Sequence, residues 1–421
     1  MNGEFEVEMS KTIGGYAYSV ENKWYRFPYL NVKGVEAQMN LPKEVTVVDL
    51  TLREGYQSVL PLVHDEKQTC ALAQKLADAG VKVIQIQNPD LKMLSDLGNT
   101  PHLEPINSGR NLLAMGSKWK ESIDELVDNG AWRIKITDWR GGGKEMWKMS
   151  WGDMTYEENI AKAVEWVEYV KSRGVKVSID CIDATRMDLD FLKDLTVAVA
   201  EAGCDVTRVN DTLGIANPTS FKWLVKQVVD NVSKYQIDVG VHCHNDFGLA
   251  VPNALAGVEA GANLVDCTID GIGARAGNAK LANVAILLEV LYKIKTGIKL
   301  EKLYDIARFM VDMTGGKLEI PKTRPFMGEL VYVDPSHSRY IGHPLLFESI
   351  EPELIGNSRR YGVLTTMSNT GSVKLFLQEK GISVSDDQLD KITKDIKDEI
   401  TLRKRVLKED EVLKIAKSVI A

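Results

Sequence analysis

Residues 201–210 read EAGCDVTRVN, and this stretch decides the fold. A helical pattern closes on Gly203, and a β-rich run follows at once. Glycine ends a helix in the left-handed conformation, and the run after it reads as a buried parallel strand. The same unit recurs as DAGVKVIQIQ (78–87), DNGAWRIKIT (128–137), SRGVKVSIDC (172–181) and EAGANLVDCTI (259–269). Adding VTVVDL (45–50), NLLAMG (111–116) and DVGVHCH (238–244) brings the expected strands to eight. Helical segments alternate with them at 64–79, 155–173, 188–202, 218–234, 247–260 and 279–296. Eight βα units in roughly 250 residues make a (β/α)8 TIM barrel. An open doubly wound sheet ranks lower, because no GxGxxG follows the first strand. The expected architecture is α/β: an N-terminal extension (1–40), a barrel (41–300) and a small, mostly helical C-terminal subdomain or lid (301–421).

The bulk composition fits a globular chain: 421 residues, 44% apolar and 26% charged, with a formal net charge of −7. That charge argues against a nucleic-acid partner. Five scattered cysteines with no CxxC spacing point to a reducing cytoplasm. The opening MNGEFEVEMSKTIGG carries no apolar stretch of the signal-peptide kind, and no run is long enough to span a bilayer.

Polar residues fall at the C-terminal ends of the expected strands: Asp49, Arg53, Glu54, Gln85, Asp138, Asp180, Asn210, Asp211, His242, His244 and Asp270. That rim is where barrels do chemistry. In HCHND (242–246), two histidines at i and i+2 share one strand face, and imidazole pairs bind divalent ions. LTLREG (50–55) adds the Glu54 carboxylate and the Arg53 guanidinium, which can clamp or polarise a substrate oxygen. GIGARAGN (271–278) adds a glycine-rich turn and the Asn278 amide oxygen. Taken singly, the histidines are more often a core or solvent-facing pair, Arg53 and Glu54 a surface ion pair, and the glycine-rich turn a tight βα loop; strands one, seven and eight are neighbours in a closed barrel, and the convergence favours a site. DWRGGGKEMW (138–147) is expected as a loop in which Arg140 and Lys144 could cover an anion.

These motifs together resemble the DRE-TIM metallolyase (HMG-CoA lyase-like) superfamily, closest to its isopropylmalate, homocitrate and citramalate synthase branch. DLTLREGYQ (49–57) resembles the family's DxTLRDGxQ, VHCHNDFGLA (241–250) its HxHNDxGLA, and GIGARAGNA (271–279) its GIGERAGNA. DATRMDLDFL (183–192), NDTLGIANP (210–218) and HSRYIGHPLLFESIEPELIG (337–356) are similar to synthase segments. The resemblance implies a divalent metal ion (Mg2+, Mn2+ or Zn2+) held by Glu54, His242, His244 and Asn278. It implies that Arg53 meets enolate-like charge, that Asp49 orders the first turn, and that Gln57, Gln85, Arg186, Asp211 and Thr212 border the substrate. It also implies a catalytic base from His337 or His343, lent across a homodimer by exchange of the lid. Three positions depart from the synthase pattern, where Gln85, Ile182 and Ala274 replace carboxylates; Asp180, two residues before Ile182, is the candidate to compensate.

The expected activity is a metal-dependent condensation of an acyl-CoA, acetyl-CoA above all, with a 2-oxo acid. The competing readings are a metal-dependent aldolase or lyase that cleaves a hydroxy acid without CoA, and a metal-binding relative without activity.

Overall fold

The computed structural model describes residues 37–58, 65–141, 143–314 and 368–420, with short pieces at 19–20, 24–25, 34, 332–333, 360–361, 364 and 366. Eight parallel strands close into a barrel. They are β1 (Thr46–Asp49), β2 (Val83–Ile86), β3 (His102–Ser108), β4 (Arg133–Arg140), β5 (Lys176–Ile182), β6 (Val206–Asp211), β7 (Asp238–Cys243) and β8 (Leu264–Cys267). β8 pairs with β1 in register, Asp266 beside Val48, and the ring is complete. The repeat glycine lies at positive φ in all five units, for example Gly203 at +89°.

The third strand differs from expectation. NLLAMG lies largely in a short helix, Gly109–Ala114, and the strand is the preceding HLEPINS. A short apolar run does not by itself distinguish strand from helix, and Pro105 argues against a strand interior. β3 nonetheless pairs on both sides, Ile86 with Pro105 and Ile106 with Lys135. The expected loop at 138–147 is likewise replaced: β4 runs on to Arg140 and a helix, Gly143–Trp151, follows.

The surrounding helices start where the side chains can cap them. Thr155 and Glu158 form a reciprocal capping box on α1 (Tyr156–Ser172), Asp188 caps α2 (Leu189–Glu201), and Asn217 with Ser220 caps α3 (Pro218–Val232). Their apolar faces pack on the outer face of the barrel, against Ile134, Ile136, Val177, Ile179, Val209, Val241 and Val265. Helix α4 (Leu303–Met313) joins this core through Leu303, Ile306 and Met310. A second core, built from Val373, Leu377, Ile392, Ile396 and Ala416, unites α5 (Thr370–Glu379), α6 (Asp386–Arg403) and α7 (Glu409–Ile420). Among the described residues no helix is long and apolar enough to cross a membrane.

Side chains alternate across a strand, so the residues between these outward positions point inward, and here they are polar. The floor is apolar, with Val83, Val206, Leu264 and Trp132, and Val48 and Leu50 continue this cluster along β1. Trp132 stacks on His102 at 4.3 Å and carries Lys176 over its ring. Above the floor lie Arg133, Lys135 and Arg208 against Glu104, Asp180 and Asp266, all buried. Arg208 donates to Glu104 on β3 (2.7 Å), Asp180 on β5 (3.4 Å) and Asp266 on β8 (3.1 Å). Lys135 lies 2.6 Å from Asp180 and 3.7 Å from Asp266, and donates to Gln85 Oε1 at 3.2 Å. Glu104 also accepts from Arg133, Ser178 and Gln85.

Burial alone would raise the Glu104 carboxyl, but the charges of Arg133, Arg208 and Lys135 outweigh it and hold the pKa at about 2, below the ordinary 4.5. A carboxylate depressed in the fold stabilises it above the unfolded value, and that contribution is lost as pH falls through the folded one. We expect wild type to exceed Glu104→Gln in stability at pH 7, by on the order of 3 kcal/mol from this carboxylate. The gap should shrink as pH falls from 4.5 toward 2. Urea unfolding across that range measures it, and a gap that does not change with pH contradicts the assignment. Arg208→Met leaves three carboxylates short of a partner and should cost roughly 3–5 kcal/mol, read by the same method.

Candidate active site

The C-terminal mouth of the barrel gathers side chains from three neighbouring strand ends. A short helix, Thr51–Glu54, starts directly after β1 and delivers Arg53 and Glu54 together. Asp49 orders that turn, accepting from Thr51 N (3.0 Å) and Thr51 Oγ1 (2.9 Å). Burial pushes the Asp49 carboxyl up to about 7, against these two bonds. β7 carries His242 next to its last residue, and the chain continues to His244, both pointing inward and both buried. The turn after β8 brings Asn278 beside His244 in a single antiparallel bridge.

One ligand atom from each of Glu54, His242 and His244 lies within 4.8 Å of the others. The two Nε2 atoms stand 3.2 Å apart. Two imidazole nitrogens bound to one ion at about 2.0–2.1 Å each are separated by a similar distance near a right angle. His242 Nδ1 faces Asp266 Oδ2 at 3.3 Å. Arg208 and Lys135 overcome the cost of burial and keep Asp266 far below its usual pKa, so it is ionised and accepts the Nδ1 proton. That fixes the tautomer with the lone pair on Nε2, toward the mouth. Burial also lowers both imidazoles, His244 strongly, so they are neutral, the form that ligates metal. Glu54 Oε2 and Asn278 Oδ1 are buried oxygens without a hydrogen-bond partner. Two orphaned oxygens beside two neutral imidazoles are a donor set that fits a divalent cation.

Glycine shapes the β8 turn. A Cβ on Gly273 would lie 2.0 Å from Asn278 Nδ2, and one on Gly277 would lie 1.8 Å from Gly271 O. The turn is tied to the β7 loop by Arg275, which donates to both carboxylate oxygens of Asp246 (2.8 and 2.9 Å) and to Thr212 O (2.5 Å). Thr212 Oγ1 in turn accepts from Asp183 N at 2.7 Å, and Asp183 pairs with Arg186 at 2.6 Å. Four successive loops are thus stitched into one rim.

Arg53 lies against the Glu54 carboxylate. Gln57 is half-buried on the turn that follows. Gln85 is deeper, in the ionic layer, where it donates to Glu104 Oε2 at 3.0 Å and accepts from Lys135. This explains one departure from the synthase pattern, because a carboxylate at Gln85 would face that of Glu104. Ile182 follows Asp180 on the inward face of β5; nothing in the structure explains Ala274, which is buried. Asp180 accepts from Lys135, Arg208 and Asn210. Asp211 faces away from the cluster, accepting from Ile215 N, Ala216 N and Asn253, and burial raises its pKa to about 6. His337 and His343 lie outside the described residues.

Sequence reasoning overlooked Lys135, Glu104, Arg208 and Asp266. The signal was the one that paired the histidines: in RIK (133–135) charge falls on alternate residues of a barrel strand, and in VTRVN (206–210) Arg208 and Asn210 share one face.

The chain matches the HMGL-like family model over residues 44–310. It is 34% identical over 404 residues to a 2-isopropylmalate synthase of Methanocaldococcus jannaschii, covering 92% of this chain and 75% of that one. It is 35% identical to a probable 2-isopropylmalate synthase of Ignicoccus hospitalis (87% and 91% covered), and 30% identical to a homocitrate synthase of Methanothermobacter thermautotrophicus (86% and 90%). Among solved structures, an HMG-CoA lyase from Bacillus subtilis shares the fold, with a TM-score of 0.53, 18% identity, and coverage of 66% of this chain and 96% of that chain. Motifs, barrel and kinship agree, and the chain belongs to the HMGL-like family.

Proposed function

We propose that this chain is a carbon–carbon bond-forming acyltransferase that condenses an acyl-CoA, acetyl-CoA in the first instance, with a 2-oxo acid. The observation that carries the reading is the Glu54–His242–His244 cluster at the mouth of the barrel, with Arg53 against it. The relatives named 2-isopropylmalate synthase and homocitrate synthase support it over most of the chain's length. Glu54, His242, His244 and Asn278 would hold a divalent ion, which when bound supplies Lewis acidity at the keto oxygen of the 2-oxo acid.

The chain's own groups account for the remainder. A base takes a proton from the acyl methyl carbon, and the resemblance of residues 337–356 assigns this to His337 or His343, lent by the second subunit of a homodimer. The electron pair left on that carbon adds to the keto carbon, whose oxygen gains negative charge and then a proton. Arg53 shares that charge through a planar, permanently protonated guanidinium. Water cleaves the thioester, releasing a free thiol and the second carboxylate of the product. Asp180 acts by position: it is the acceptor for Lys135, Arg208 and Asn210 beneath the reacting atoms.

Three outcomes are expected. With Mn2+, acetyl-CoA and a panel of 2-oxo acids, the purified protein releases thiol with at least one acid; cleavage of a hydroxy acid without CoA would replace this reading with a lyase. The His242→Ala, His244→Ala double variant retains no stoichiometric Mn2+ after dialysis, as measured by atomic emission; undiminished metal content would remove the assignment. Arg53→Ala lowers kcat by roughly 100- to 1,000-fold, and Arg53→Lys is also impaired; an effect confined to KM would assign Arg53 to binding alone.

A further inference from the structure

Asn210 ends the inward face of β6, in register with His242 on β7. It is 4% exposed, and its Nδ2 donates to Asp180 Oδ2 at 3.1 Å. The same carboxylate oxygen lies 2.6 Å from Lys135 Nζ, and Asp180 Oδ1 accepts from Arg208. Asp180 therefore presents an acceptor to the amide, and the opposite amide orientation would set oxygen against oxygen. Asn210 Oδ1 is turned away from Asp180 by necessity, and this buried oxygen has no hydrogen-bond partner. Its neighbours in the layer below are committed: Gln85 is bonded through both its amide atoms, and Lys135 faces Asp180, Gln85 and Asp266.

A buried acceptor without a donor is costly, and a molecule bound at the mouth can supply one. Within a 2-oxo acid, the carboxylate and the keto oxygen are acceptors only and would repel Oδ1. Only the side chain can carry a donor. We propose that Asn210 is a specificity residue that accepts a hydrogen bond from a hydroxyl on the side chain of the 2-oxo acid, so that the preferred substrates are hydroxylated rather than branched alkyl acids. This rests on the reading of the mouth as a 2-oxo acid site. A site built around such a bond rejects the analogue that lacks the hydroxyl more strongly than an apolar pocket rejects a missing methyl group. Asp180 and Lys135 serve as its positioning residues.

The test is calorimetric titration of the full-length, Mn2+-loaded protein with two matched pairs: 3-hydroxypyruvate against 2-oxobutanoate, and 4-hydroxy-2-oxobutanoate against 2-oxopentanoate. Each pair exchanges a hydroxyl for a methyl at equal size. In at least one pair the hydroxylated acid should bind roughly 10- to 100-fold tighter. Asn210→Ala should erase the difference by weakening the hydroxylated acid alone. Equal or tighter binding of the alkyl acid in both pairs overturns the proposal, as does a preference that survives in Asn210→Ala. Should that variant not fold, the wild-type pairs decide the matter. Thiol release with acetyl-CoA separates the two readings: a hydroxyl preference without thiol release keeps Asn210 and removes the synthase, whereas thiol release with tighter binding of alkyl acids does the reverse. Failure of all four acids to bind removes both.

Discussion

Arg208, on β6, places a guanidinium inside a closed barrel and reaches carboxylates on three strands, of which only β5 adjoins its own: Glu104 on β3, Asp180 on β5 and Asp266 on β8. Barrels of this kind usually fill their interior with layers of branched apolar side chains. Here apolar side chains line the floor and β1, and the middle of the barrel holds three cations facing three carboxylates. Such an arrangement is weak as a source of stability, since desolvation offsets most of the attraction. Its consequence is geometric. Apart from Arg133, which donates to Glu104, each charge has several partners, and none of these side chains can turn without stranding another in a medium that penalises it heavily.

The mouth inherits that rigidity. Asp266 is held ionised by Arg208 and Lys135, and therefore dictates which nitrogen of His242 carries the proton. Asp180, held by the same two cations, orients the amide of Asn210. The layer thus transmits orientation from the barrel interior to two inward-facing strand ends, on β6 and β7, by hydrogen bonds alone. A layer of leucine and valine could fill the space equally well but could not select a tautomer or an amide orientation.

A second constraint acts from above. Arg275 and Asp183 both adopt left-handed backbone conformations, at φ +55° and +57°, uncommon for residues with a Cβ. Both are held by side-chain bonds: Arg275 to Asp246, and Asp183 to Arg186. The strained turns carry Asn278 and the β5 loop into place; Gly273 leaves room for the Asn278 amide, and Gly277 for the backbone of Gly271. The site is therefore set between a charged layer below and a stitched rim above.

The sequence by itself determined the barrel, seven of its eight strand positions, and the residues that converge at the mouth. Those features are periodic or punctuated: glycine closes each repeat, strands alternate, and two histidines at i and i+2 share a face. It left the third strand misplaced, because a six-residue apolar run and a strand containing proline give opposite local signals, and only pairing with both neighbours decides between them. The ionic layer belongs wholly to the tertiary structure. Each of its residues is visible in the sequence as a charge in a strand, but Arg208 and Glu104 are 104 positions apart. Closure of the barrel alone puts them within hydrogen-bond distance, and with them the tautomer of His242 and the orientation of Asn210.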